Sequence, residues 1–366
     1  MRPSFRFPFA WFLPIYLLLG CSESRSSLNT VAFRDLDCDT CMISLREIVR
    51  VASDEQGALL DFGTMFRRGP GDATLAAPLS DRFAGVLYDR VGSLVGRFGR
   101  NGDGPGDYRS ITAAVARSDD SVIVLEGALN LHGPDLTFVR RQGLDLNGMP
   151  RRIAPLKDNR LALDVSDGKS GFFTYVRRDL SVERTFGQTE RVQRGYHLSG
   201  DGHGGIWAVP FGSHWAILHF DSLGQRIPAI MTPPSWYESL DESEPEVGDP
   251  RVERPGVRFA GIWADSLGRI WIAAVIADRN WRADPAGLPE PDAHGEVQSG
   301  IMLIDRWPEF FDGALAVYDV RSGQLLAERI VDNVISLSPE GVVGELIVTP
   351  DEEVAARVFT PTLKPR

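Results

Sequence analysis

The chain has 366 residues, of which 43% are hydrophobic and 24% charged, with 39 basic against 50 acidic side chains and a formal net charge of −11. An acidic body of this kind argues against nucleic acid, and against broad contact with anionic lipid, as its partner.

The first twenty residues have the three parts of an export signal. Arg2 and Arg6 give a positive start, Phe7 to Gly20 is an uncharged apolar stretch, and a small residue precedes Cys21. The stretch contains Pro8 and Pro14 and is too short and broken for a spanning helix, which needs about 20 apolar residues. Leu18-Leu19-Gly20-Cys21 resembles the bacterial lipobox. That resemblance implies cleavage before Cys21, diacylglycerol on its thiol and acylation of the freed amine, enough acyl chains for a stable membrane anchor. An ordinary secretory signal cut elsewhere, or a retained anchor, is the alternative. Ser22 rather than Asp after the cysteine implies the outer membrane in a Gram-negative cell. Ser22 to Asn29 is a polar, Ser-rich tether. Removing Arg2 and Arg6 leaves 37 basic against 50 acidic residues, a net charge of −13.

Cys38 and Cys41 follow at C-x-x-C spacing, in a compartment where disulfides persist. A local structural disulfide is the preferred reading; free or redox thiols and a metal site are the alternatives. A thioredoxin-like role would place the first cysteine at a helix start, whereas Ile43 to Val51 reads as a strand. Zinc would need two ligands from elsewhere.

Further along, one unit recurs: a turn of Asp, Gly or Ser, a short apolar strand, a polar gap, a second strand and an Asp-x-x-Gly-like turn. Its clearest copies are Asp201 to Val209, continued by Ala216 to Gly224, and Asp265 to Ala273, continued late by Leu315 to Gly323. Weaker copies are Ser118 to Val124, Lys157 to Leu163 with Phe172 to Asp179, Gly85 to Gly92 and Ser338 to Val343. Short strands with regular turns mean antiparallel hairpins. Four-stranded sheets of this length bury both faces only by packing around an axis. The spacing of about 40 residues is near the length of known propeller repeats; a β-sandwich is the competing architecture. Pro228–Pro255 and Ala277–Gly300 interrupt the repeat and are expected to be surface excursions. Without them, six blades would use about 45 residues each, and seven about 39. The predicted organisation is a signal peptide over 1–20, a lipidated tether with the C-x-x-C over 21–41, and a single all-β domain over 42–366, a β-propeller of six blades.

Gly96 to Tyr108, with its run Asn101-Gly102-Asp103-Gly104-Pro105-Gly106-Asp107, resembles the Gly-rich phrase between blades of bacterial six-bladed, NHL-like propellers. Asp265 to Trp271 and Asp319 to Gly323 resemble their blade phrases. Together with the lipobox and the early C-x-x-C, the chain resembles bacterial six-bladed propeller lipoproteins of unassigned function. The resemblance covers about residues 42–360 and is more specific for fold than for function.

Few residues suggest chemistry. Asn101, Asp103 and Asp107 alternate with glycines, but Pro105 occupies a calcium-ligand position of the EF-hand pattern, and a Gly-rich crossover is preferred. His197, His203, His214 and His219 are read as scattered surface histidines rather than a metal set. Trp207 and Trp271 hold matching repeat positions and are expected to fill space between blades. No nucleophile elbow, zincin, P-loop or dinucleotide phrase is present, and no catalytic residue, metal or cofactor is assigned. The expected function is an envelope-anchored binding or scaffolding module for a protein, peptide or glycan, held to the membrane through lipid on Cys21. Trp236, Tyr237 and Trp281 would be aromatic anchors on a rim formed by the two insertions. The alternative is a metal-assisted lactonase, lyase or hydrolase with its site at a mouth of the central channel.

Overall fold

The computed structural model describes residues 41–52, 60, 64–77, 85–100, 102–109, 111–190, 195–238, 253–283, 307–348 and 354–365. The signal segment, Cys21 and Cys38 lie outside them. No helix among the described residues is long and apolar enough to cross a membrane.

The first strand, β1 (Cys41–Ala52), joins the end of the chain. Blade 1 follows with β2 (Met65–Arg68), β3 (Thr74–Ala77), β4 (Gly85–Tyr88) and β5 (Leu94–Phe98). Blade 2 is β6 (Ala113–Ala116), β7 (Val122–Leu125), β8 (Ala128–His132) and β9 (Phe138–Gly143). Blade 3 is β10 (Met149–Pro155), β11 (Leu161–Ser166), β12 (Ser170–Val176) and β13 (Val182–Glu190). Blade 4 is β14 (Tyr196–Gly200), β15 (Ile206–Pro210), β16 (Leu218–Phe220) and the two-residue β17 (Arg226–Ile227). Blade 5 is β18 (Arg258–Ala264), β19 (Arg269–Ala277), β20 (Phe311–Asp319), preceded by a helical turn at Trp307–Phe310, and β21 (Leu325–Val331). Blade 6 is β22 (Ile335–Leu337), β23 (Val343–Val348), β24 (Val354–Pro365) and, outermost, β1.

Each blade is a four-stranded antiparallel sheet. The first strands of consecutive blades touch in a closed circuit, β2 to β6 to β10 to β14 to β18 to β22 and back to β2. The chain is therefore a six-bladed β-propeller. The ring is closed by β1 pairing with β24, from Cys41 opposite Pro365 to Ala52 opposite Ala355.

The strand sequences follow from their places. Second strands are buried on both faces and read as apolar runs, as in Val122-Ile123-Val124-Leu125 and Arg269 to Ala277. Outer strands face water, and Phe138-Val139-Arg140-Arg141-Gln142-Gly143 is mostly exposed. Alternate residues of one strand serve opposite neighbours: Ile206 and Ala208 pack toward blade 3, Trp207 and Val209 toward blade 5. Six apolar clusters result, one per blade interface. Trp207 and Trp271 are both buried in such clusters, as expected.

The repeated Asp-Gly phrase forms the turns at one end of the propeller, here the turn end. Asp201 Oδ1 accepts from the His203 and Gly205 amides at 2.7 and 2.8 Å, and Asp265 Oδ1 from Leu267 and Arg269 at 2.8 and 3.0 Å. These turns need a left-handed residue, which glycine, Asp and Asn tolerate best. Gly202 and Gly268 supply it in two blades, Asp72, Asp120 and Asp158 in three others.

Candidate functional site at the axis and the insertion end

At the axis the first strands bring together polar side chains from several blades. β6 presents Ala113-Ala114-Val115-Ala116, small enough for Arg67 of blade 1 to reach past it. Its guanidinium donates to the Ile153 carbonyl of blade 3 at 3.2 and 3.3 Å and meets Glu340 Oε1 of blade 6 at 3.5 Å. Arg67 is only 2% exposed. In blade 3 a bulge between Pro150 and Arg152 sets Arg152 directly opposite Asp164 on β11, a cross-strand pair of opposite charge. Asp164 Oδ2 accepts the Tyr196 amide at 3.1 Å. Gly195, at φ +86°, is what lets that carboxylate in, since a Cβ there would lie 2.1 Å from Asp164 Oδ2. Burial pushes the Asp164 carboxyl up to about 6, against the Tyr196 hydrogen bond and the charge of Arg152.

His197 of blade 4 is buried, with Nε2 3.0 Å from the Phe259 carbonyl of blade 5. Burial, with Arg152 adding to it, pulls the imidazole down to about 3, so it is neutral at pH 7 and Nε2–H is the donor. Ser199 accepts the Ala264 amide at 3.0 Å and donates at 3.3 Å toward the Pro339 carbonyl of blade 6. These bonds link blades across the axis. Beside them lies a small hollow of about 10 Å³, the room of roughly one water. A larger, open hollow of about 420 Å³ lies at the turn end and is lined by blade 1 alone, between Pro70 to Ala73 and Asp89 to Val95.

The two insertions open at the opposite end. One joins β17 to β18, between blades 4 and 5; the other joins β19 to β20, within blade 5. The pairings Arg258 with Val275 and Ala277 with Phe311 place these openings on one side. Because Cys41 pairs with Pro365 at the finish of β24, β1 starts at the turn end, away from both.

Part of the first insertion is not an excursion. β17 is only two residues long and leaves the flank of blade 5 uncovered. Residues 228–238 fill that gap, with Met231 and Trp236 buried among Trp207, Phe259 and Tyr318. The Trp215 indole donates to the Met231 carbonyl at 2.9 Å, Tyr318 to Thr232 at 3.0 Å, and Ser235 to Glu328 at 2.6 Å. Trp236, 7% exposed, is therefore a core residue and not a rim anchor. Tyr237 is half-buried, donating to the Ser213 carbonyl at 2.8 Å and accepting the Trp215 amide at 2.9 Å. Trp281 is half-buried where β19 leaves the blade, its amide bonded to the Asp278 carbonyl at 3.0 Å. Glu238 and Arg254, 2.7 Å apart, bridge the two described ends of the insertion; residues 239–252 and 284–306 lie outside the described residues.

The four histidines are not all surface groups. His203 and His214 are exposed. His197 is at the axis, and His219 stacks on Trp207 at 3.9 Å with Nε2 3.2 Å from Asp201. In the Gly-rich crossover, Asp107 binds Arg100 at 2.6 Å and the Gly104 amide at 3.1 Å, and Asp103 binds Arg109 at 2.5 Å. Buried Tyr108 bonds His132 of blade 2. These carboxylates thus tie the loop together. Among the described residues no three His, Cys, Asp or Glu side chains gather as a metal site. Cys41 is buried between blades 5 and 6; its expected partner Cys38 is outside the described residues.

No protein-family model matches the chain, and no curated protein matches its sequence. Solved structures of similar shape include virginiamycin B lyase from Staphylococcus aureus, as a catalytically inactive variant with quinupristin. It is 8% identical, the match covers 87% of this chain and 99% of that one, and the TM-score is 0.44. The Dos1 propeller is 9% identical over 88% of this chain and 75% of that one, with a TM-score of 0.41. At such distance these likenesses carry nothing about activity.

Proposed function

We propose that this chain is a lipid-anchored envelope protein of the NHL-like six-bladed kind, whose propeller binds or scaffolds a protein, peptide or glycan on its insertion end. The observation that carries the reading is the polarity of the ring. Both elaborated loops open at one end, while β1, the strand that follows the tether, starts at the other. Loops on a rigid scaffold are where recognition concentrates, and two of them open together here.

Site-specific photocrosslinking in cells tests this. Crosslinkers replacing Tyr237 and Trp281 should give discrete adducts. Those replacing Leu223 and Leu267, exposed residues of the turn end, should not. Equal labelling from both ends would overturn the assignment. The Cys21→Ser chain should leave the membrane fraction, and an unchanged distribution would remove the anchor.

A further inference from the structure

The axial void has a one-sided chemistry. Its polar lining side chains are Arg67, Arg152 and His197, the remainder are apolar residues such as Ile262 and Leu337, and no carboxylate lines it. Arg67 Nε and Arg152 Nε are buried without a hydrogen-bond partner. A buried guanidinium N–H left unpaired is costly, and more so because the group is charged. Glu340 reaches Arg67 at 3.5 Å and Asp164 stands opposite Arg152 in the strand pair, but neither carboxylate takes up an Nε–H group.

We propose that this void is a resident site for one monatomic anion, a halide, held by the Nε–H groups of Arg67 and Arg152. The volume of about 10 Å³ is close to the room of a single small particle, which favours a monatomic ion over a polyatomic one. Two cationic side chains with unpaired Nε–H groups, and no lining carboxylate, favour an anion over a water and disfavour a cation. His197 contributes shape rather than charge, because its Nε2–H is committed to the Phe259 carbonyl. The ion would join blades 1 and 3, whose direct link at the axis is Arg67 on the Ile153 carbonyl.

The full chain, unfolded and refolded in sodium gluconate to strip halide, is compared with the same protein in chloride and in bromide at equal ionic strength. The melting temperature should rise by a few degrees in both halides, logarithmically with concentration above the dissociation constant. Crystals grown in bromide should show an anomalous peak between Arg67 and Arg152. Arg152→Met should lower halide affinity at least tenfold; where Arg67→Met does not fold, Arg152→Met and the bromide peak still decide. Density at that place without bromide signal, with equal melting in gluconate and chloride, would identify a water and overturn the proposal.

Discussion

Trp236 offers a direct measure of how far the first insertion belongs to the propeller. Truncation to Ala would open the wedge between blades 4 and 5, where the indole contacts a cluster containing Trp207, Phe259 and Tyr318. Removing a buried Trp costs about 3–5 kcal/mol. Its Nε1 is buried without an acceptor, and losing that unpaired donor returns about 1–2 kcal/mol, so the net loss is about 1–4 kcal/mol. An unfolding entropy of about 2.1 cal/mol/K per residue, taken over Cys38–Arg366, comes to about 0.7 kcal/mol/K. The melting temperature of Trp236→Ala should therefore fall by about 1.5–6 °C in calorimetry. Leu223→Ala, at a residue 52% exposed, should move it by less than about 1 °C. Replacing 239–252 with a short Gly-Ser link should also leave it nearly unchanged, since loop length weighs only logarithmically. A Trp236→Ala protein that melts with the wild type would refute the wedge argument.

Two further outcomes can be checked. His197 is held near 3 in the fold and titrates near 6.5 when unfolded, so its contribution is present above pH 6.5 and is lost as pH falls from there. Asp164, raised to about 6, acts oppositely and favours the fold as pH falls from 6 toward 3.8. His197→Gln, whose amide can still donate to the Phe259 carbonyl, should remove the first effect and keep the second. Between pH 7 and 5 its unfolding free energy should gain on the wild type by on the order of 2 kcal/mol; identical pH profiles would count against a neutral axial histidine. Cys38 and Cys41 should resist thiol labelling in periplasmic protein until reductant is added, and replacing both should cost only roughly 2 kcal/mol, since the loop they would close is small; full labelling without reductant would dismiss the pair.

The turns were the most legible part of the sequence. The phrases at Ser118, Lys157, Asp201, Asp265 and Ser338 mark the first turn of five blades, because an Asx-type turn imposes a fixed chemistry on a few adjacent residues. The equivalent turn of blade 1, Pro70-Gly71-Asp72, is built on a different phrase and escaped notice, although Asp72 supplies the same left-handed backbone. Ile43 to Val51 was readable as a strand, but its partner was not, since alternation says nothing about which strand hundreds of residues away completes the ladder. The axis was illegible for a related reason. Arg67, Arg152 and His197 come from three blades, and an arginine in a short strand reads as a solvent-facing residue. A signal was present in the charged residues on first strands, where β6 has alanines. Trp236 was misplaced because prolines and acids around it suggested a surface loop, while the deficit it corrects, the brevity of β17, is visible only in three dimensions.

Ring closure by β1 and β24 sets an order of events for a chain made N-terminus first. β1 emerges before any strand it can pair with, and its partner is the last strand made. Until then Ile43, Val49 and Val51, buried in the finished ring, have nothing to cover them. The open-ended stack of blades has two uncovered flanks until Val354–Pro365 arrives. An unfinished molecule is therefore a client for a holding chaperone, and one lacking the twelve residues of β24 would never cease to be.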